Sequence, residues 1–298
     1  MYSLISNRRA NLLSQTKVMK LDGGLSTALE LNGNKLTTSL WTGELIRTAP
    51  EEITKAHLDF INAGAEIIIT SAYQLSYLGC GNRGWTDLQT DEALFKSTQL
   101  AKDAVTQSGK AVKVAASVGP YGAALADGSE YRGNYGVGKS ALKEFHAKRL
   151  EILIASNPDI LALETMPDTQ EVEVLLDLLC DCPIPYWVSY SCKEGNQTNA
   201  GQTFASAVDL AQSAMAVGIN CTAPELISGL LSSASSSIPY VVYPNSGRTW
   251  DAVAKEWIGA TEVGFADSLI KEWIDLGVEI IGGCCGIGPK EIASLRLS

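Results

Sequence analysis

Eight short apolar runs recur along this chain, each followed by a segment with helical periodicity. That alternation restricts the fold more than any other feature. The runs are VMKLDGG from Val18, AEIIITS from Ala65, VKVAASVG from Val112, DILALET from Asp159, YWVSYS from Tyr186, AMAVGINC from Ala214, YVVYPN from Tyr240 and VEIIGGCCG from Val278. Most are continuously hydrophobic, as expected of strands buried on both faces. PEEITKAHLDFINAGA reads as an amphipathic helix, with Pro50 at its start and Gly64 as its stop. DEALFKSTQLAKDAVTQSG, SALKEFHAKRLEILIASNP and the stretches after Asp168, Phe204, Pro224 and Thr261 read the same way. Eight such units in 298 residues point to a (β/α)8 TIM barrel, one domain over residues 1–298 with residues 1–17 as an N-terminal extension. A doubly wound open sheet has the same periodicity, which does not report closure.

Composition narrows the partners. Hydrophobic residues make up 46% of the chain, enough for a sizeable core, and the net charge is -10. Phosphate backbones need excess cation on the protein, so nucleic acid is not the expected partner. A cationic small molecule suits the charge better. No apolar run approaches the roughly 20 residues of a membrane helix, and the first residues lack a signal-peptide pattern. A cytoplasmic protein with reduced thiols is the expectation. Seven cysteines, an odd number, do not suit a closed disulfide framework.

The unusual residues sit at strand ends: Asp22, Tyr73, Glu164, Cys221, Asn245, Cys284 and Cys285. A barrel gathers its C-terminal strand ends on one face, where catalysis is placed. Cys221 closes the sixth run and Cys284–Cys285 the eighth. Three thiolates there can form an all-cysteine site with one tetrahedral position open, the mark of a catalytic zinc rather than a structural one. Adjacent strand residues point to opposite faces, so Cys284 and Cys285 can share an ion only if the chain turns. Gly282, Gly283 and Gly286 allow that. The other readings are buried cysteines acting as small hydrophobes and a redox sensor with a strained Cys284–Cys285 bridge. Cys80, Cys180, Cys182 and Cys192 read as ordinary cysteines, with Cys180 and Cys182 toward the opposite face.

Other signals are discounted. GNYGVGKS, residues 133–140, matches the phosphate-loop pattern, but the polar ADGSEYR before it is no buried strand. His57 and His146 fall inside helical patterns, away from strand ends, which argues against a Ser–His triad. The long glycine-rich segment from Gly119 to Gly138 carries Tyr121, Tyr131 and Tyr135, which suit either cation–π contact with a ligand or ordinary packing.

The combination of LDGG, AHLDFINAGAEIIITSAYQ, ETMPD, GINC and GGCCG resembles the homocysteine S-methyltransferase family, from about Leu21 to Ile292. VGPYGAALADGSEYRGNY and VVYPNSGRTWDAVAKEW are similar to its S-methylmethionine-dependent branch. The resemblance implies a barrel, zinc on Cys221, Cys284 and Cys285, and methylation of the homocysteine thiol. It also implies that Asp22 and Glu164 hold the amino-acid substrate, mainly its ammonium group. Taken alone, Asp22 also reads as a turn residue and Glu164 as a helix-start carboxylate. Backbone N–H groups near Gly23 and Gly24 suit the substrate carboxylate; Tyr73 and Asn245 complete the expected substrate set. A cysteine-only metal site keeps a bound thiolate electron-rich, and a sulfonium donor leaves as a neutral thioether. S-adenosylmethionine shares that sulfonium; betaine, a quaternary ammonium, and a methylfolate are the other alternative donors.

Overall fold

The computed structural model describes residues 17–247, 249–251, 256–258 and 264–297. Of the expected N-terminal extension only Lys17 is among them, and the first residues of the stretch after Thr261 also lie outside. All eight expected strands are present: β1 (Met19–Lys20), β2 (Ile67–Ile69), β3 (Lys113–Val118), β4 (Ile160–Met166), β5 (Tyr186–Tyr190), β6 (Ala216–Asn220), β7 (Tyr240–Tyr243) and β8 (Val278–Ile281). Every neighbouring pair along the sheet is parallel. β1 pairs with β8 through Met19–Ile280 and Lys20–Ile281, and a parallel bridge from Leu21 to Ile67 joins β1 to β2. The ring therefore closes into a (β/α)8 barrel, and the open doubly wound sheet is excluded.

Strand alternation sorts the side chains into two layers. Leu21, Ile67, Ala115, Ile160, Ala162, Trp187, Ala216, Val241 and Ile280 pack into one cluster, the barrel interior. Their sequence neighbours, among them Ile68, Val114, Leu161, Val188, Val217, Val242 and Ile281, pack outward under the helices. Continuing the inward register by two residues places Ser117 on β3, Glu164 on β4, Ser189 on β5 and Tyr243 on β7 toward the C-terminal mouth. The barrel thus has an apolar floor and a polar rim.

The helices between the strands follow their local signals. Pro50–Asn62 begins with proline and is followed by Gly64 at φ 96°. The segment expected to start near Asp91 starts at Asp87, because Thr86 and Gln89 form a reciprocal capping box. Asp168 and Thr203 cap Thr169–Leu178 and Phe204–Leu210 through their side chains. Beyond the barrel, Cys192–Lys193 pairs antiparallel with Gln197–Thr198, and Thr249–Asp251 with Glu256–Ile258. No helix among the described residues is long and apolar enough to cross a membrane.

Close approach of β6 to β7 depends on Gly218, where an added Cβ would lie 1.7 Å from the Val241 carbonyl oxygen. A backbone atom cannot swing aside as a side-chain tip can, so the strands must part. We expect Gly218→Ala to lower stability by about 1–3 kcal/mol, the usual cost of overpacking. Urea unfolding followed by circular dichroism measures this, and an unchanged midpoint would refute it.

Candidate active site

Barrel closure collects the three cysteines. Cys221 follows the end of β6 and Cys284–Cys285 follow β8. Their sulfurs all lie within 4.8 Å of one another. Sγ of Cys285 is 3.6 Å from that of Cys221 and 3.9 Å from that of Cys284.

Two backbone devices aim these side chains. Alternation would turn Cys221 away from the mouth, since Asn220 occupies the inward position before it. Instead Cys221 sits at φ 48°, a left-handed conformation uncommon for residues other than glycine. At β8, Ile287 N–H donates to the Cys284 carbonyl, closing a turn whose third residue, Gly286, has φ 80°. This is the turn the adjacent cysteines require. Cys192 and Cys80 are buried elsewhere, and neither they nor Cys180 and Cys182 join the cluster. All seven cysteines are free thiols.

The donor set fits a tetrahedral metal ion. Zinc–sulfur bonds of about 2.3 Å set ligand sulfurs about 3.8 Å apart, close to the two separations above. The electrostatics agree. Hydrogen bonds from Cys284 and Cys285 hold the Cys221 thiol well below its ordinary pKa, with the Tyr131 hydroxyl adding to this. Interaction with Cys221 in turn pushes Cys284 and Cys285 well up. Thiolates this close repel one another, so bringing all three to the charged form calls for a cation.

A cavity opens over the sulfurs, lined by Gly23, Gly24, Leu25, Ser26, Trp41, Thr42, Ile69, Thr70, Tyr73, Gln74, Tyr131, Glu164, Thr165, Cys221, Tyr243, Gly283, Cys284 and Cys285. Glu164 accepts from Ser117 Oγ at 2.5 Å. Burial pushes its carboxyl up to about 7 despite that bond. The next residue, Thr165, has φ 59°, and its N–H and Oγ1 are paired with Asn220. The β4–β5 register shifts across these two residues, between Leu163 and Met166, as a bulge that re-aims the strand end. The Tyr73 hydroxyl is buried with no hydrogen-bond partner among the described residues.

Several expected residues sit differently. Asp22 is 1% exposed and does not line the cavity; its Oδ2 accepts from Ile69 N–H at 2.7 Å, bracing β1 against β2. Its Oδ1 is buried and unpartnered among the described residues, and burial, with Glu164 nearby, holds the carboxyl well above the usual range. The Gly24 N–H, expected to meet a substrate carboxylate, already donates to the Ile287 carbonyl at 2.9 Å. Asn245 is also outside the lining, with its Oδ1 accepting from Gly247 N–H at 2.9 Å.

Of the three loop tyrosines, Tyr131 alone lines this cavity, its hydroxyl 3.6 Å from Cys221 Sγ. Tyr121 packs against Tyr135 and Phe145. The segment 119–138 is anchored: Glu171 accepts from Tyr121 N–H at 2.5 Å and is bonded to His146 at 2.8 Å. His57 is a core histidine whose pKa burial lowers to about 4. A 310 turn at Ser129–Tyr131, not a strand, precedes the phosphate-loop-like residues.

Trp41, Thr42, Thr70 and Gln74 were not legible as cavity residues, because nothing in their local pattern marks them. Tyr243 had a signal: it lies two residues beyond Val241 on the inward face of β7.

The family model described as Homocysteine S-methyltransferase matches residues 19–297. The chain is 39% identical to Homocysteine S-methyltransferase 3 of Zea mays, over 93% of this chain and 88% of that one. It is 37% identical to Selenocysteine Se-methyltransferase of Brassica oleracea var. italica, over 93% and 87%. The metallated form of the homocysteine methyltransferase MmuM from Escherichia coli superposes with a TM-score of 0.84 at 35% identity, covering 96% of this chain and 98% of that one. The match of the family model over nearly the whole chain, joined by these identities, shows that the chain belongs to the homocysteine S-methyltransferase family.

Proposed function

We propose that this protein transfers a methyl group from S-methylmethionine to the thiol of L-homocysteine, with zinc held by Cys221, Cys284 and Cys285. The observation that carries the reading is the trio of sulfurs, spaced for a tetrahedral ion, at the mouth of a closed barrel. Relatives named for homocysteine methylation and the metallated MmuM structure support it. A metal-binding trio of cysteines needs reduced thiols, so a cytoplasmic setting is part of this proposal.

Zinc on three thiolates supplies a centre that lowers the pKa of a fourth thiol and leaves its sulfur electron-rich. The chain's own residues do the rest. Glu164, at the rim, pairs with the homocysteine ammonium, and the arriving cation favours the ionised carboxylate. Asp22 holds the backbone of Ile69 in the cavity wall. Tyr131 closes over Cys221, and the apolar floor of Trp187, Met215 and Ala162 keeps water from below. The homocysteine sulfur attacks the donor methyl in line. A sulfur–carbon bond forms as the sulfonium–methyl bond breaks, its electron pair staying on the departing sulfur. The thiol proton goes to solvent, and two methionines result. Positioning supplies most of the rate, since the leaving group is neutral.

Each of Cys221→Ala, Cys284→Ala and Cys285→Ala is expected to take zinc from near one per chain to a small fraction and to cut kcat/KM by roughly 100-fold or more. Metal analysis and kinetics on the purified variants check this; full zinc and full activity in one variant would remove that residue from the site. The fold should persist, because its core is large and independent of the metal.

Glu164→Gln is expected to raise the homocysteine KM roughly tenfold or more while zinc content holds. The pH dependence has a definite sign. A carboxyl with a pKa of about 7 loses its charge as pH falls below that value, so kcat/KM for homocysteine falls with it. In Glu164→Gln this component disappears; identical pH profiles in the two proteins would count against the pairing.

A donor panel with saturating homocysteine tests the donor. S-methylmethionine is expected to give the highest kcat/KM, S-adenosylmethionine the second, and betaine the lowest. A preference for betaine would overturn the assignment.

A further inference from the structure

A second cavity opens beside the first and shares Trp41, Gln74 and Tyr131 with it. It is the larger, about 430 Å³ against about 100 Å³. Its charged lining residues are Glu30, Lys35 and Glu130. Glu30 and Lys35 are exposed, whereas Glu130 is only 9% exposed. The Glu130 Oε2 atom is buried with no hydrogen-bond partner among the described residues. A buried carboxylate oxygen without a donor is costly, and each such group in a native chain asks for an explanation.

The position of Glu130 supplies one. It lies in the 310 turn Ser129–Tyr131, where Ser191 Oγ donates to its carbonyl at 3.4 Å and Arg132 donates to Ser129 Oγ at 2.9 Å. The next residue, Tyr131, places its hydroxyl 3.6 Å from Cys221 Sγ. Tyr131 also lines both cavities, so the space beside Glu130 adjoins the space over the sulfurs.

We propose that this second cavity is the methyl-donor site, and that Glu130 recognises the α-ammonium group of an amino-acid sulfonium there. The proposal rests on the reading of the chain as a sulfonium-dependent methyltransferase. What Oε2 lacks is a hydrogen-bond donor. Neither a sulfonium nor a quaternary ammonium has an N–H to offer, whereas an α-ammonium has three. Glu130 thus separates donors by a group remote from the methyl being moved. S-methylmethionine and S-adenosylmethionine carry that group, and betaine does not. Trp41, Gln74 and Tyr131 line both cavities, so homocysteine held against the thiols in the smaller one has the donor beside it in the larger one.

The test compares S-methylmethionine with dimethylsulfoniopropionate, a sulfonium of similar reach with no ammonium group. The wild-type protein is expected to favour S-methylmethionine in kcat/KM by roughly 10- to 100-fold, the worth of one charge-assisted hydrogen bond. Glu130→Gln is expected to lose most of that preference by raising the KM for S-methylmethionine. Its use of dimethylsulfoniopropionate and its homocysteine KM should stay near wild type. Calorimetric titration of S-methylmethionine into the zinc-loaded protein should show the same loss in Kd without turnover. Equal losses for both donors, or none, overturn the proposal and leave the donor reading intact. A wild-type protein that does not discriminate between the two sulfoniums also overturns it, whether or not the variant folds. A wild-type protein inactive with S-methylmethionine but active with betaine overturns the donor reading itself, and the proposal with it.

Discussion

A two-residue strand, β1, closes this barrel, and the site depends on that closure. Leu21 N–H donates to the Ile281 carbonyl on one side, and Asp22 N–H donates to the Ile67 carbonyl on the other. Glu66 N–H returns a bond to the Lys20 carbonyl. The short stretch from Val18 to Asp22 thereby joins the last strand to the second. Past this seam, the Gly283 N–H donates to the Asp22 carbonyl and the Gly24 N–H to the Ile287 carbonyl. The turn that bears Cys284 and Cys285 is thus stitched to the loop after β1. An open sheet with the same strands would leave that turn at one edge and Glu164 in the middle, without a shared cavity.

Charge is the second constraint, and it follows from the first. The barrel interior is apolar up to the level of Ala162 and Trp187, and the polar rim stands directly on that floor. Ionised groups there are poorly solvated, which raises Glu164 to about 7 and Asp22 well above its usual range. The three thiols feel the same penalty. Such a site gains most from positive ligands, because attraction is strong where water is scarce. A divalent ion among the sulfurs and an ammonium group at Glu164, the two ligands proposed above, would both answer that need. The left-handed backbone at Thr165 and Cys221 costs on the order of 1 kcal/mol or more at each residue, and the paired hydrogen bonds between Thr165 and Asn220 help to hold it.

Much of this was legible before any tertiary contact was known. Eight apolar runs with glycine- and proline-marked helices are local patterns, and each appears as a strand or helix near its expected bounds, apart from the stretch after Thr261, where the described helix begins at Asp267. Strand ends rich in Cys, Glu and Asp pointed to one face, and the paired cysteines beside glycine required a turn that is present at Gly286. The exceptions are equally local in origin. The capping box at Thr86 and Gln89 moved one helix start forward, since a reciprocal cap outweighs the hydrophobic pattern that begins later.

Tertiary structure decided what periodicity cannot carry. Closure is a property of the first and last strands together, so only the Leu21–Ile67 bridge could separate a barrel from an open sheet. The aim of Cys221 depends on its φ of 48°, which no residue type at that position announces. Asp22 was readable as a carboxylate near the site, but its bond to Ile69 N–H turns one oxygen to the wall, because the neighbouring strand offers a free amide there. Trp41, Gln74 and Glu130 lie in loops whose local sequence has no period, and only the packing of those loops over the barrel mouth brings them to the cavities. Sequence alone determined which residues could do the chemistry, since that rests on functional groups and spacing. Which of them meet was left to the folded chain, because long-range distances depend on the closed ring.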